Sequence, residues 1–480
     1  MKKTFGQQLG QFFCYAFGVL FLLFPFTVLK ESRIRLLEKG HFPAVVLLAV
    51  CFAAGAYFVH FFLKEQWFPS WMAVGLPAAL SVVFRTLCRR KVGAFLVMKY
   101  DYLTALESAR GVYAAKEAIF PHWAYYPRLL SLWMRLFGQS QGAAVAFNIF
   151  VGALSCVLIS LIAKEIFGSN KTAFFASLLF AFWPSYGLYC GITSNEHLCL
   201  LFLLLCSYFF ILALGAEGWR RWIFLAAAGL FAGATDLFKQ FSPVFLIAAA
   251  AVILIRLLTE KGSRKNLLCF VLCLLLMFGC GLAVKTAAKA GLERYLGQPV
   301  ADSMTGHFLL IGLNSEGGGM WSEEYGSLVY ELCEAYSNDY KAVNEELTAI
   351  LKADLKAHPD SLIPTLQHKF LVDWSADSGV VDWVNALYPG GLPHRDWVYS
   401  LCGAYYAGLF LLILAGAVMA FFEKDPSLMY LRLICFGYFL LFMLSEAQGR
   451  YQLVLFPVFA LLAASGLKDP KELRPSLSGR

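Results

Sequence analysis

KYDYLTALESARGVYAAKEAIFPHWAYYPRLLSLWMRLFG, residues 99–138, is a polar and aromatic island in an apolar chain. Residues 68–87 before it and 143–163 after it are predominantly apolar, and each has the roughly 20 residues that carry a helix across a bilayer core. The island is therefore a connection between membrane spans. It opens on one acid between two rings, Tyr100-Asp101-Tyr102. One or two helices are expected in it, lying in the membrane interface. In the first, Leu103, Leu106 and Val112 face lipid, with Glu107, Arg110 and Lys116 toward water. Phe120-Pro121 breaks the pattern, and the second helix starts at Tyr126-Pro127, with Leu129, Leu130, Leu132, Trp133 and Leu136. Trp and Tyr belong at headgroup depth.

The same reading extends to the whole chain. Of its 480 residues 59% are hydrophobic and 15% charged, where soluble domains carry about a quarter charged residues. The fold class expected is an all-α polytopic membrane protein. Twelve spans are predicted: 11–29, 43–63, 68–87, 143–163, 172–189, 197–214, 222–238, 241–258, 266–287, 398–421, 428–445 and 451–467. The first is expected to remain as an uncleaved helix. A net charge of +8 is too modest to point to nucleic acid and suits cytoplasmic loops facing anionic lipid. Most of the 13 cysteines fall inside apolar runs and read as small packing residues.

An even span count puts both termini on one side. Lysine and arginine assign that side to the cytoplasm: Lys2, Lys3, Lys64, Lys164, Lys171, Arg220, Arg221, Lys261, Arg264, Lys265, Lys424 and the tail residues Lys468, Lys471, Arg474 and Arg480. Two basic segments fall on the other face, one with Lys30, Arg33, Arg35 and Lys39, the other with Arg85, Arg89, Arg90 and Lys91. A phosphate-bearing lipid substrate would account for them. The outer face then holds 88–142, the turn 190–196, and 288–397, which is too long for a mere connection. The organisation expected is an N-terminal membrane region 1–290 that includes the loop 88–142, an extracytoplasmic region 291–397, C-terminal membrane helices 398–467, and a cytoplasmic tail 468–480.

Asp101 reads as a solvated loop acid or as a base whose flanking rings, Tyr100 and Tyr102, raise its basicity by partial desolvation. Glu196, in YCGITSNEHLCLLF, is either a first-turn acid favoured by the helix dipole or a second carboxylate facing Asp101. His197 beside it is a ligand or a hydrogen-bond donor. A divalent metal would draw on Glu196 and His197, though no third ligand sits at diagnostic spacing. In GATDLFKQFSP, Asp236 and Lys239 either pair with each other or leave Lys239 to hold a phosphate. Arg128 in YYPRLLS and Arg450-Tyr451 in SEAQGRYQL are the other outer-face candidates, since arginine matches the geometry of phosphate oxygens. The glycines of SEGGGMW lack the Lys-Ser/Thr of a phosphate loop, and LPHRDW has no serine elbow near it, so neither an NTPase nor a hydrolase triad is indicated.

YDYLTALESA, YYPRLLSLWMRLFG, SLLFAFWPSYGLYCGITSNEHLCLLFLLL, GATDLFKQFSPVFLIAA, GHFLLIGLNSEGGGMWSEEYG and EAQGRYQLVLFPVFALLAASGL occur in this order across residues 70–467. Together they resemble the GT-C class of membrane glycosyltransferases, specifically glycosyltransferase family 39 and the bacterial protein-mannosyltransferase-like group. The resemblance implies transfer of a sugar from a polyprenyl-phosphate donor to a lipid, glycan or protein hydroxyl outside the cytoplasm, by an enzyme integral to the plasma membrane. It implies Asp101 and Glu196 as catalytic acids, with Lys239, Arg450 and Tyr451 at the donor phosphate; Arg128 is a further cation candidate for that phosphate from its place on the outer face. Tyr100, Tyr102, Tyr126 and His197 would line the substrate pocket. Many relatives carry an acidic pair or Ser-Asp in the first loop; here Asp101 stands alone behind Tyr100, which makes Glu196 its expected partner. Rival readings are a transporter or flippase of lipid-linked saccharides, an O-antigen ligase or polymerase-like transferase, and a non-enzymatic assembly protein. The spans are poor in central charge and the halves unrelated, which disfavours a transporter.

Overall fold

The computed structural model describes residues 5–38, 42–111, 117–259, 264–419, 421 and 425–468. The readings made on Lys2, Lys3, Lys39, Val112, Lys116, Lys261, Lys424 and the tail beyond Lys468 lie outside these residues, as do the side chains of Arg264 and Lys265. The described chain is all-helical. Its first half holds α1 (Phe5–Glu38), α2 (Phe42–Phe62), α3 (Ser70–Lys91), α4 (Tyr100–Ala109), α5 (His122–Phe137), α6 (Gln141–Phe167), α7 (Asn170–Ala181), α8 (Pro184–Tyr189), α9 (Glu196–Gly215) and α10 (Gly218–Asp236). Then come α11 (Ser242–Thr259), α12 (Arg264–Leu296), α13 (Thr305–Leu313), α14 (Glu323–Ala335) and α15 (Tyr340–Ala357). The last five are α16 (Leu362–Trp374), α17 (Ser378–Leu387), α18 (Arg395–Met419), α19 (Pro426–Leu444) and α20 (Phe456–Ser465).

Among the described residues nine helices are long and apolar enough to cross a membrane: α1, α2, α3, α6, α9, α11, α12, α18 and α19. Backbone groups in lipid must be satisfied within the segment, which is why these runs are helical throughout. Phe12, Leu23, Leu47, Phe58, Leu275 and Leu282, on α1, α2 and α12, are exposed, as lipid-facing side chains would be. Helices α6, α9 and α18 instead bury most of their side chains at the centre.

The expected count of twelve is not met by this measure, and each shortfall has a physical cause. Span 172–189 is broken at Trp183-Pro184 into α7 and α8, because proline lacks the donor that would continue the helix. Span 222–238 is the 19-residue α10, whose Arg220, Arg221 and Asp236 and many glycines and alanines lower its hydropathy. Span 451–467 is a 3-10 turn, Tyr451–Leu455, followed by the ten-residue α20. All of α20 is buried inside the bundle.

The island differs from expectation in two places. Leu106 packs into the core and does not face lipid. Its second helix starts directly after Pro121, with Pro127 inside it. While α16 and α17 pack into the bundle core through Trp374, Val380, Val381 and Val384, α13–α15 beyond α12 build a separate helical unit. Its core joins Leu310, Val329, Cys333, Val343, Leu347 and Leu351 of α13–α15 to Ile119 and Phe120 of the island. The charged run from 331 is two helices, broken at Ser337 and Asn338 with φ 49° and 62°. Asp339 restarts the chain as the cap of α15, accepting from the amides of Lys341 and Ala342.

Helix directions gather the C-terminal ends of α1, α3, α10, α12 and α19 and the N-terminal ends of α6, α9, α11 and α18 at one end of the bundle, beneath this unit. The opposite end carries Lys64, Lys164, Lys171, Arg220, Arg221, Arg256 and Lys468. Of the basic residues expected on the other face, Arg85 is fully buried in α3, its guanidinium 4.8 Å from the Tyr186 ring and 5.2 Å from that of Phe180.

Trp183 ties the broken span to α20 and to the segment that leads into α17. It stacks on Phe456 with ring centroids 3.8 Å apart, and its indole N–H donates to Asp377 at 3.2 Å. Replacing a buried Trp by Ala costs about 3–5 kcal/mol. Trp183→Ala should therefore lower the unfolding temperature of the purified protein strongly, measured by scanning fluorimetry.

Candidate active site

Two close backbone contacts assemble the site. Gly93, in the connection from α3 to α4, meets Gly191, in the connection from α8 to α9; a Cβ on Gly191 would lie 2.9 Å from the Gly93 Cα. No side chain fits there, so the start of α4 is drawn against the start of α9. Thr193 Oγ1 donates to the Tyr102 carbonyl at 2.8 Å, and Asn148 Nδ2 holds the carbonyls of Cys190 and Ile192 at 3.0 and 2.8 Å. The second contact joins Gly379 of α17 to Gly449, where a Cβ on Gly379 would lie 2.7 Å from Gly449. That seats Arg450 against the rings of α17.

A cavity of about 1030 Å³ opens between the bundle end and the upper unit. On one side of it four charges converge. Lys239 Nζ lies 3.0 Å from Glu196 Oε1, and Arg450 Nε lies 3.8 Å from the same oxygen. Ser194 Oγ also donates to Glu196. Arg450 reaches onward, with Nη2 3.9 Å from Asp101 Oδ2 and Nη1 donating to the Tyr102 hydroxyl. Its guanidinium lies over the rings of Trp383, Tyr102 and Tyr451 at 4.8, 5.1 and 5.6 Å, while Lys239 Nζ stands 3.9 Å over Tyr451. The carboxylates differ in access: the Asp101 side chain is 47% exposed and that of Glu196 4%. Burial pushes the Tyr102 phenol up to about 12, so it stays neutral and able to hydrogen-bond. Tyr100, just before Asp101, has φ 51°, a left-handed conformation that costs a non-glycine residue about 1–3 kcal/mol and recurs at functional sites.

The sequence-derived candidates divide cleanly. Asp101, Glu196, Lys239, Arg450, Tyr451, Tyr100, Tyr102 and Tyr126 all line the cavity. Arg128 and His197 are not among its lining residues. Arg128 pairs with Glu117 at 3.1 Å and lies 4.4 Å over Tyr295. His197 bonds Tyr186 through Nδ1 at 3.1 Å and the Ile192 carbonyl through Nε2 at 3.3 Å. Asp236 pairs with Lys285 of α12 at 2.9 Å and accepts from Ser242, which leaves Lys239 to Glu196. Among the described residues no group of three or more His, Cys, Asp or Glu is placed to hold a metal ion. With Glu196 engaged by two cations and both His197 nitrogens used, this donor pair does not fit a divalent cation.

Several lining residues were not foreseen. Glu446 accepts from the Tyr451 hydroxyl at 2.8 Å. Its signal was present, an acid at the end of a span beside Arg450. Trp383, Asp382, His307 and Trp321 come from the long outer segment, where no periodic pattern marks them. Arg35, one of the outer-face basic residues, also lines the cavity and donates to the Leu371 carbonyl at 3.4 Å.

The fold and site define a polytopic, all-helical membrane protein with a charged cavity at one end of its bundle. Residues 122–283 match the profile of the dolichyl-phosphate-mannose-protein mannosyltransferase family, which bears out the GT-C resemblance for that stretch. No curated protein sequence matches the chain. Among solved structures it is similar to the oligosaccharyltransferase of Archaeoglobus fulgidus tethered with an acceptor peptide, at 13% identity and a TM-score of 0.32, covering 83% of this chain and 56% of that one. It is also similar to ArnT from Cupriavidus metallidurans bound to undecaprenyl phosphate, at 13% identity and a TM-score of 0.38, covering 83% of this chain and 78% of that one. The chain thus spans little more than half the length of the oligosaccharyltransferase.

Removing one partner of a buried ion pair costs about 3–5 kcal/mol, because a charge is left without compensation. Glu196→Gln strands both Lys239 and Arg450, and a loss of this size is expected in denaturant or thermal unfolding. A second expectation concerns pH. Burial lowers the His307 imidazole from 6.5 to about 4. The unfolded chain then binds a proton that the folded chain does not, so this group's stabilisation is present above pH 6.5 and lost as pH falls toward 4. The unfolding temperature of His307→Gln should fall less steeply than that of the parent over this window.

Proposed function

We propose that the protein is a membrane glycosyltransferase that moves a sugar from a polyprenyl-phosphate donor to an acceptor hydroxyl. The observation that carries this reading is the convergence of Lys239 and Arg450 on buried Glu196, with accessible Asp101 within reach of the same arginine. The matched family is named for transfer from dolichyl-phosphate mannose, a polyprenyl-phosphate sugar. A sugar on phosphate already carries a good leaving group, so the protein must supply a base and cations.

Asp101 takes the acceptor hydroxyl's proton. The acceptor oxygen forms its bond to the anomeric carbon as the bond from that carbon to the phosphate oxygen breaks. The polyprenyl phosphate leaves with the electron pair and is held by Lys239 and the planar fork of Arg450. Attack opposite the leaving phosphate inverts the anomeric carbon. Glu196 orients the two cations and balances them before the donor enters. The isoprenoid chain lies in the bilayer among the lipid-facing helices. The basic residues at the far end of the bundle support a cytoplasmic location for that end and an extracytoplasmic one for the cavity.

The purified protein, supplied with a polyprenyl-phosphate hexose and a mixture of hydroxyl acceptors, should release polyprenyl phosphate. General-base contributions of about 10²–10⁴-fold set the expected loss in Asp101→Asn. Undiminished release by a folded Asp101→Asn protein would rule Asp101 out as the base. Uptake of a labelled lipid-linked saccharide into vesicles without any release would favour a flippase instead.

A further inference from the structure

The cavity has a second side, opposite in character to the charged one. Between His307 and Tyr330, on α13, α14 and the loop joining them, its lining residues include Phe308, Trp321, Glu323 and Ser327, and none is Lys or Arg. Trp123 adds a further ring. The Phe120 ring forms the base of this wall, with centroids 5.3 Å from His307, 6.0 Å from Phe308 and 6.2 Å from Tyr330. Trp321 leaves more than half its surface uncovered. His307 is buried in this wall, 6% exposed, and its Nδ1 has no hydrogen-bond partner. A buried polar atom without a partner costs free energy that a ligand can recover.

These features select a ligand class. A wall without cations and with one acid does not bind phosphate. Aromatic rings suit the apolar C–H face of a pyranose, and a neutral imidazole suits its hydroxyls, donating at one nitrogen and accepting at the other. We propose that this wall is a pyranose subsite in which the His307 imidazole, turning into the cavity, hydrogen-bonds a sugar hydroxyl. The proposal rests on the transferase reading for the sugar's purpose, though not for its recognition. The ring bound there belongs either to the donor or to a glycan acceptor.

Saturation-transfer NMR on the full chain in lipid nanodiscs, free of sugar-based detergent, tests it with the methyl α-glycosides of mannose, glucose and galactose. At least one glycoside should bind saturably. His307→Phe should weaken it about tenfold, the size of a lost hydrogen bond, and His307→Gln should restore most of the affinity. Trp321→Ala, a change at an exposed ring that folding tolerates, should also weaken it. No glycoside binding to the parent protein, or parent-like binding by both His307→Phe and Trp321→Ala, would overturn the subsite. Displacement of the glycoside by polyprenyl-phosphate hexose but not by bare polyprenyl phosphate assigns the ring to the donor; simultaneous binding assigns it to the acceptor. Sugar binding without any transfer would sink the transferase reading alone. Transfer with unaltered kinetics in His307→Phe would sink the subsite alone.

Discussion

Glu196 is the constraint on which the site depends. A carboxylate 4% exposed at the head of a membrane-spanning helix is tenable only with compensation, and Lys239 and Arg450 supply it from α10's C-terminal end and from the loop after α19. Three distant parts of the chain are thereby held at one point. Arg450 carries the network outward to Asp101 and Tyr102, which adds the first loop. Because Glu196 forms ion pairs with both cations, it fixes where their charges lie.

Such a cluster needs backbone to approach backbone. The Gly93–Gly191 and Gly379–Gly449 contacts meet that need, and they explain why the polar island is packed into the fold and does not float at the interface. Phe120 and Ile119 extend the island upward into the core of α13–α15. The island is thus shared between the charged side of the cavity and its aromatic side. Trp183, at the break between α7 and α8, fastens the bundle to α17 through Asp377. The interrupted span is therefore a joint.

Much of the fold was legible in the sequence. Apolar runs near 20 residues announce helices in a bilayer, and the long polar segments announce where the bundle ends. Shorter elements were misjudged for one reason. Helices such as α20, enclosed by other helices, need neither the length nor the uniform hydropathy of a lipid-facing span. The site was legible wherever a charge interrupts an apolar run, as at Glu196, Lys239 and Arg450. Trp383 and His307 gave no such signal, because aromatic residues in an extramembrane segment are ordinary until a fold points them at a cavity.

The sequence by itself determined the all-helical membrane class, the end of the bundle where polar residues collect, and a short roster of charged candidates. Hydrophobicity and span length are local properties, so a linear reading suffices for them. Which charges meet was decided only by the tertiary structure. Asp236 and Lys239 are three residues apart, yet one pairs with Lys285 and the other with Glu196. Arg128 and Arg450 are the same residue type near the same membrane face, yet one is neutralised by Glu117 and the other reaches Asp101. Pairing of charges depends on distances of a few ångströms between segments hundreds of residues apart, and only the packed helices set those distances.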